Sequence, residues 1–139
     1  MLSPDFWSSF NDTPSPKLAD RSQSFRKIFT YLDGSDRPIG VIETGCVRQQ
    51  DNWAGDGQST ILFDKYAEFH PGSIVYSVDC NPQATALCRS LVSDRVSAAA
   101  GGLTKLFWSG TPMKEDGESS TTTSVLEDSS GAIAASFFR

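Results

Sequence analysis

A strand, a glycine-containing loop, a helix and a second strand follow one another between Ile39 and Asp79, and this order constrains the fold most strongly. The first strand is an apolar run that ends at Glu43, and the second is Ile74–Asp79. Residues 58–69 carry apolar side chains at helical spacing. Sheets of parallel strands joined by crossover helices bind ligands at the carboxyl ends of the strands. The sequence therefore predicts an α/β fold with a nucleoside site at the two strand tips.

The spacing of the glycines indicates what kind of nucleoside fits. A dinucleotide fingerprint packs its glycines closely so that the backbone can approach a pyrophosphate, whereas Gly45 is followed only by Gly55 and Gly57. Glu43 at the mouth of such a long loop repels a phosphate and attracts a cationic group. Asp79 lies 22 residues after Gly57, close to the offset of about 20 at which an acidic side chain meets ribose hydroxyls.

Three elements in order resemble the class I S-adenosylmethionine-dependent methyltransferases: Glu43-Thr44-Gly45, the Gly-x-Gly-x-Ser-Thr turn over residues 55–60, and Val78-Asp79. The resemblance covers residues 25–107. It implies a Rossmann-like parallel sheet with flanking helices, S-adenosyl-L-methionine as the cofactor, and methyl transfer to a small molecule or a sugar hydroxyl. The cofactor-binding residues that it implies are Glu43, Thr44, Gly45, Gly57, Ser59, Asp79 and Cys80.

Two residues near the first strand tip have competing interpretations. The resemblance implies that Glu43 organises the following loop and bonds toward the methionine end of the cofactor, while the alternative is a salt bridge to Arg48. Trp53 lies in the loop Val47–Ala54, which we interpret as a lid or a substrate-contact loop. Its ring could shield a sulfonium cation, or it could anchor the packing of its own loop.

The order of the segments predicts one incomplete domain. Residues 1–16 contain three prolines and are expected to be flexible, and a helix is predicted over residues 17–32. Residues 17–108 form the predicted partial Rossmann-like domain, with a helix after Asn81-Pro82 and a third strand over residues 95–99. Helices are expected on both faces of the sheet. Residues 109–139 are rich in serine and threonine and are predicted to be a disordered tail.

The chain departs from the methyltransferase pattern after the third strand. Gly101-Gly102-Leu103 stands where those enzymes commonly carry an acidic residue near the adenine. The apolar fourth strand expected beyond Ser109, with residues that contact the methyl acceptor, is not recognisable. We interpret the change as a truncated or frame-shifted version of a longer enzyme, with an authentic short protein as the alternative. The predicted sheet then has three or four strands and one exposed edge.

Composition restricts the partners. A net charge of −5 over 139 residues gives no basic surface for nucleic acid. The sequence contains no run of 18 apolar residues, so no membrane span is predicted. No signal peptide is recognisable, so a cytoplasmic location is predicted. The 3 cysteines, Cys46, Cys80 and Cys88, are widely spaced, and with only His70 beside them they indicate neither a zinc site nor a disulfide framework. A nucleophilic Cys80–His70 pair is conceivable, but a surface turn histidine is the favoured interpretation.

The most consistent function is S-adenosylmethionine-dependent methyl transfer with a small-molecule acceptor, an activity of full-length relatives that a truncated chain would have lost. Its catalytic residues cannot be named from the sequence. Alternatives are an NAD-type or other nucleotide-binding module, a non-catalytic interaction module derived from such an enzyme that self-associates through an open sheet edge, and an unfolded translation product.

Overall fold

The structure, a computed structural model, describes residues 4–54, 58–101 and 132–135. Five helices and four strands lie within these ranges. In chain order they are α1 (Pro4–Asp12), α2 (Pro14–Leu18), α3 (Arg21–Asp33), β1 (Gly40–Thr44), α4 (Ser59–Phe69), β2 (Ile74–Asp79), α5 (Pro82–Leu91), β3 (Val96–Ala100) and β4 (Ala132–Ala135).

The four strands form one parallel sheet in the order β3-β2-β1-β4. The chain therefore adds strands outward from β1 to β3 and then returns to the other side of β1. This is the strand order of the first half of a doubly wound nucleotide-binding fold, in which ligands bind at the point where the direction of strand addition reverses. The predicted α/β fold with an incomplete Rossmann-like parallel sheet is confirmed.

The helices α4 and α5 pack on the same face of the sheet. Val41, Val75 and Val96 share that face because the strand register pairs them directly; α4 covers Val41 and Val75, and α5 covers Ala98 beside Cys88. Two successive right-handed crossovers in one direction require this arrangement. Our expectation of helices on both faces is therefore wrong for α4 and α5. Ile42 and Tyr76, on the opposite face, are half-buried.

The amino-terminal segment was expected to be flexible, and for residues 4–12 that expectation is wrong. Phe6 and Phe10 of α1 are 1% and 2% exposed, and the Phe6 ring lies 5.1 Å from that of Phe29 in α3 and 5.9 Å from that of Phe69 in α4. The burial of large aromatic side chains outweighs the weak helical preference of a segment rich in Ser, Asp and Pro. The helix predicted from residue 17 is instead divided between α2 and α3.

The carboxyl-terminal segment was predicted to be disordered and to lack the fourth strand. The backbone of Ala132–Ala135 forms β4 and pairs with β1 over Gly40–Glu43, so the prediction is wrong for these four residues. The remainder of that segment, residues 109–131 and 136–139, lies outside the described residues. Of the helices that the structure describes, none has the length and the apolar character needed to cross a membrane.

Ala19, which joins α2 to α3, has φ 49° and ψ −127°, a backbone conformation that strains any residue with a Cβ atom. We expect Ala19→Gly to raise the free energy of unfolding by about 0.5–1 kcal/mol, measured by urea denaturation. Ala86→Gly is the control, because Ala86 is exposed inside α5 and its replacement should lower stability by about 1 kcal/mol. A loss of stability in both variants would contradict the strained conformation at Ala19.

Candidate functional site at the strand tips

The two acidic strand tips lie at the same end and on the same face of the sheet. Glu43 of β1 is paired with Ser77 of β2, and Asp79 follows Ser77 by two residues, so its side chain points to the same side. The backbone N–H of Gly45 donates to the carbonyl oxygen of Val78 at 2.7 Å, which keeps the two strands together past the end of β1. The structure thus brings together the carboxylates that the sequence singled out.

The Glu43 carboxylate is buried in a set of hydroxyl groups. It is 1% exposed and accepts hydrogen bonds from the hydroxyls of Thr60 at 2.6 Å and Ser77 at 2.8 Å, and from that of Ser59. Burial raises the pKa of Glu43 above its usual value although the three hydroxyls oppose the change, and the nearby charge of Asp79 raises it further. The carboxylate joins β1, β2 and the start of α4. The alternative of a Glu43–Arg48 salt bridge is wrong, because the Arg48 guanidinium bonds to Asp79 instead.

Asp79 is also held by the protein, but by cationic and backbone donors. Its Oδ1 accepts from the N–H of Asn81 at 2.8 Å, and its Oδ2 accepts from the N–H of Cys46 at 3.1 Å and from Arg48 at 3.4 Å. Burial acts to raise the pKa of Asp79, but the two backbone N–H groups and the charge of Arg48 outweigh it and leave the pKa below its usual value. Asp79 is therefore an ionised acceptor at neutral pH.

The remaining predicted cofactor residues surround these carboxylates. Gly45 has φ 86°, and a Cβ atom built on it meets nothing within 4 Å, so there is open space beside its backbone. Thr44 is half-buried at the end of β1, and Cys80 is exposed directly after Asp79. Ser59 is the first residue of α4. Gly57 lies outside the described residues.

The amino terminus of α4 begins beside the strand tips. Its preceding residue is Gln58, which is left-handed at φ 41° and makes no side-chain capping bond; its amide donates to the carbonyl oxygen of Gln49 at 2.6 Å. The Ser59 hydroxyl donates to Glu43 and does not cap the helix. The first turn of α4 nevertheless directs backbone N–H groups toward the carboxyl end of the sheet.

The loop after β1 is attached to the amino-terminal helices. Lys17 forms an ion pair with Asp51 at 3.6 Å and lies 5.7 Å from the centroid of the Trp53 ring, and the Arg21 guanidinium donates to the carbonyl oxygen of Trp53. The Trp53 indole N–H donates to Asp51 at 3.0 Å, and its ring packs against the main core. These contacts favour the interpretation of Trp53 as the anchor of its loop.

His70 and two of the three cysteines, Cys46 and Cys88, are buried in the protein. His70 is 7% exposed, so the surface position favoured from the sequence is wrong. Its Nε2 donates to the carbonyl oxygen of Ser35 at 3.2 Å, and its Nδ1 then accepts from the hydroxyl of Ser73 at 2.8 Å. It precedes β2 whereas Cys80 follows it, so the strand separates the two residues and a Cys80–His70 nucleophilic pair is excluded. Cys46 is buried beside Cys88, whose thiol, together with burial, raises the pKa of Cys46.

Ser77 was missed by the sequence reasoning, Thr60 was assigned only to the turn before α4, and Arg48 was considered only as a partner of Glu43. Ser77 and Thr60 complete the hydroxyl set around Glu43, and Arg48 covers Asp79. Ser77 carried a usable signal, since it is a polar residue in an apolar strand and lies two positions before the acidic tip. Among the described residues no group of three or more His, Cys, Asp or Glu side chains is arranged to hold a metal ion.

Comparison of the chain with protein-family models, with curated proteins and with solved structures found no match. The functional proposal therefore depends on the residues at the strand tips and on the resemblance that they carry.

The hydroxyl set around Glu43 should tolerate an amide but not an apolar side chain. We expect Glu43→Ala to lose about 2–4 kcal/mol of unfolding free energy, because Ser77 and Thr60 lose their buried acceptor. Glu43→Gln keeps an acceptor without a charge. A raised pKa in the folded protein means that Glu43 supports stability fully below its unfolded value of 4.5 and loses this support as the pH rises.

The stability of Glu43→Gln relative to the parent should therefore improve as the pH rises from 4.5 toward neutrality, measured by denaturant titrations at several pH values. Glu68→Gln is the control, because the Glu68 side chain is 49% exposed and its replacement should give a difference that changes little with pH. A Glu43→Gln variant as unstable as Glu43→Ala at neutral pH would show that the negative charge itself is required.

Proposed function

We propose that this chain binds S-adenosyl-L-methionine at the carboxyl ends of β1 and β2, in the manner of a class I methyltransferase. The methyl acceptor in this proposal is a small molecule, such as a sugar with a free hydroxyl. The observation that carries the proposal is that two buried carboxylates, Glu43 and Asp79, lie at one end of a parallel sheet, with open space beside the backbone of Gly45 at the same end.

Charge favours this cofactor over a dinucleotide. A sulfonium group is cationic, and Glu43 and Asp79 lie close enough for the charge of one to raise the pKa of the other. A pyrophosphate is an anion and would be repelled by the ionised Asp79. The loop after Gly45 also lacks the closely spaced glycines with which a dinucleotide site approaches its pyrophosphate. These two observations count against the NAD-type alternative.

The residues fit the proposed cofactor in different ways. Asp79 is the ionised acceptor at the tip of β2, suited to the two ribose hydroxyls. The open space beside Gly45 admits a ligand next to the backbone. Glu43 has both oxygens occupied by hydroxyls, so we assign it to positioning β1 and α4 and not to direct contact. Ser59 acts through Glu43 in the same way.

Thr44 and Cys80 follow the strands at the rim of this site, and Gly57 belongs to the turn before α4. The bound cofactor supplies a methyl group on a positively charged sulfur, and transfer depends chiefly on aligning the acceptor with that bond. The described residues bind and orient, and none of them is assigned as a general base. A non-catalytic nucleoside-binding module would use the same site without turnover. The proposal includes the cytosolic location, which free thiols at Cys46, Cys80 and Cys88 fit.

S-adenosylhomocysteine is the probe for this proposal, because it contains the same nucleoside and amino acid without being turned over. We expect isothermal titration calorimetry to show binding to the parent chain and about a 10–100-fold weaker affinity for Asp79→Asn, since an amide offers one acceptor oxygen and no charge to the ribose hydroxyls. Asp94→Asn is the matched control: its side chain is 97% exposed, it precedes β3 at the other end of the sheet, and the substitution should leave the affinity unchanged.

Absence of binding at millimolar S-adenosylhomocysteine, with the chain shown to be folded by circular dichroism, would overturn the proposal. Equal weakening by Asp79→Asn and Asp94→Asn would show that the ligand responds to net charge and not to the strand tip. Binding without methyl transfer to any sugar or small-molecule hydroxyl would identify the non-catalytic module.

A further inference from the structure

The side chain of Asp79 is almost completely buried, and among its hydrogen-bond partners Arg48 is the side chain that is itself exposed to solvent. The Asp79 side chain is 1% exposed while that of Arg48 is 55% exposed. Arg48 Nε and Nη2 each lie 3.4 Å from Asp79 Oδ2. The acceptor that the proposed function assigns to ribose is therefore occupied by a side chain of the protein.

The donors around Asp79 differ in how firmly they are fixed. The N–H groups of Asn81 and Cys46 belong to the backbone at the strand ends and approach to 2.8 Å and 3.1 Å. Arg48 contributes a long, flexible side chain at distances beyond the usual range for a charge-assisted hydrogen bond. The backbone donors hold the carboxylate in place and ionised, and Arg48 is the one of these partners that can leave without unfolding a strand end.

A ribose diol needs the same position that the guanidinium holds. A carboxylate has about four acceptor sites; two are used by Asn81 and Cys46, and the Arg48 contacts use the rest of Oδ2. Two ribose hydroxyls and the guanidinium therefore compete for the remaining acceptor sites. Because the Asp79 side chain is 1% exposed, the hydroxyls also have no access to it until Arg48 moves.

We propose that Arg48 is an internal competitor of the ligand: its guanidinium occupies the ribose position on Asp79 and must be displaced before a nucleoside binds. This inference rests on the proposed function, since it concerns the same site. Arg48 then sets the affinity and the salt dependence of the site without contributing a contact to the ribose.

The direction in which salt changes the nucleoside affinity shows whether Arg48 competes with the ligand or helps to bind it. S-adenosylhomocysteine carries no net charge at neutral pH, so salt acts mainly on the charges of the protein. Salt screens the half-exposed Arg48–Asp79 pair, and the nucleoside affinity of the parent should rise as salt is added. A residue that helped to bind the ligand through its charge would give the opposite trend.

The test compares the parent, Arg48→Met and Arg95→Met by isothermal titration with S-adenosylhomocysteine at about 20 mM and 500 mM salt, which bracket strong and weak screening. We expect Arg48→Met to bind about 1.5- to fivefold more tightly than the parent at low salt, the range given by a partly exposed ion pair, and to lose the dependence on salt. Arg95→Met removes the same charge at the other end of the sheet, where Arg95 pairs with Asp94 at 3.9 Å, and should behave as the parent does.

A double variant separates displacement from a general change in the loop. If Arg48 acts through Asp79, Arg48→Met should give no gain in a chain that already carries Asp79→Asn, because no ionised acceptor remains to be uncovered. A gain of the same size in both backgrounds would overturn the assignment to Asp79.

The outcomes also separate this inference from the proposed function. Parent and variants that all bind with one affinity would overturn the role of Arg48 while the nucleoside site stands, and so would weaker binding by Arg48→Met. No binding by any folded variant, Arg48→Met included, would overturn the nucleoside site and the role of Arg48 together. Binding by Arg48→Met alone would support both and would show that the guanidinium closes the site in the parent.

Discussion

The buried carboxylate of Glu43 is the interaction on which the arrangement of this molecule depends. Its two oxygens accept hydroxyl hydrogen bonds from α4 and β2, so three consecutive elements of the β-α-β unit meet at one side chain. A buried carboxylate is costly unless its acceptors are satisfied. The need to satisfy these buried acceptors therefore also fixes the register of β1 against β2 and the position at which α4 begins.

The two strand-tip carboxylates are tuned in opposite directions by their donors. Neutral hydroxyls surround Glu43, and burial prevails, so its pKa is raised. Backbone N–H groups and a guanidinium surround Asp79, and they prevail over burial, so its pKa is lowered. Neighbouring carboxylates with different pKa values can coexist with less repulsion than two that are ionised over the same pH range. The result is one structural carboxylate and one charged acceptor at the same end of the sheet.

The sequence predicted those parts of the fold that follow from local patterns. The β-branched runs of β1 and β2, the helical spacing of α4 and the Asn81-Pro82 start of α5 are local signals, and each element lies within a few residues of its expected place. The helix α1 was missed because its stability comes from Phe6 and Phe10 packing on distant helices, and the prolines nearby suggest a loop. The short strand β4, Ala-Ile-Ala-Ala, has little strand preference of its own and is defined by its pairing with β1.

The residues of the site also divide into those that local sequence patterns predict and those that depend on the folded structure. Its acidic residues were predictable because strand ends can be counted along the chain, whereas the partner of each carboxylate depends on which loop residues fold back. Arg48 was the alternative partner for Glu43, five positions earlier, but it pairs with Asp79 across the strand end. Sequence distance does not decide between two carboxylates that lie side by side in space.

The attachment of the loop after β1 to α2 and α3 has a practical consequence for how this protein is handled. Lys17 and Arg21 connect that loop to a segment whose aromatic residues are built into the core. Removal of the amino-terminal helices would take away these contacts, and a fusion partner joined rigidly to α1 could displace the loop beside Asp79. Affinity tags for ligand-binding work are better separated from Pro4 by a long flexible spacer.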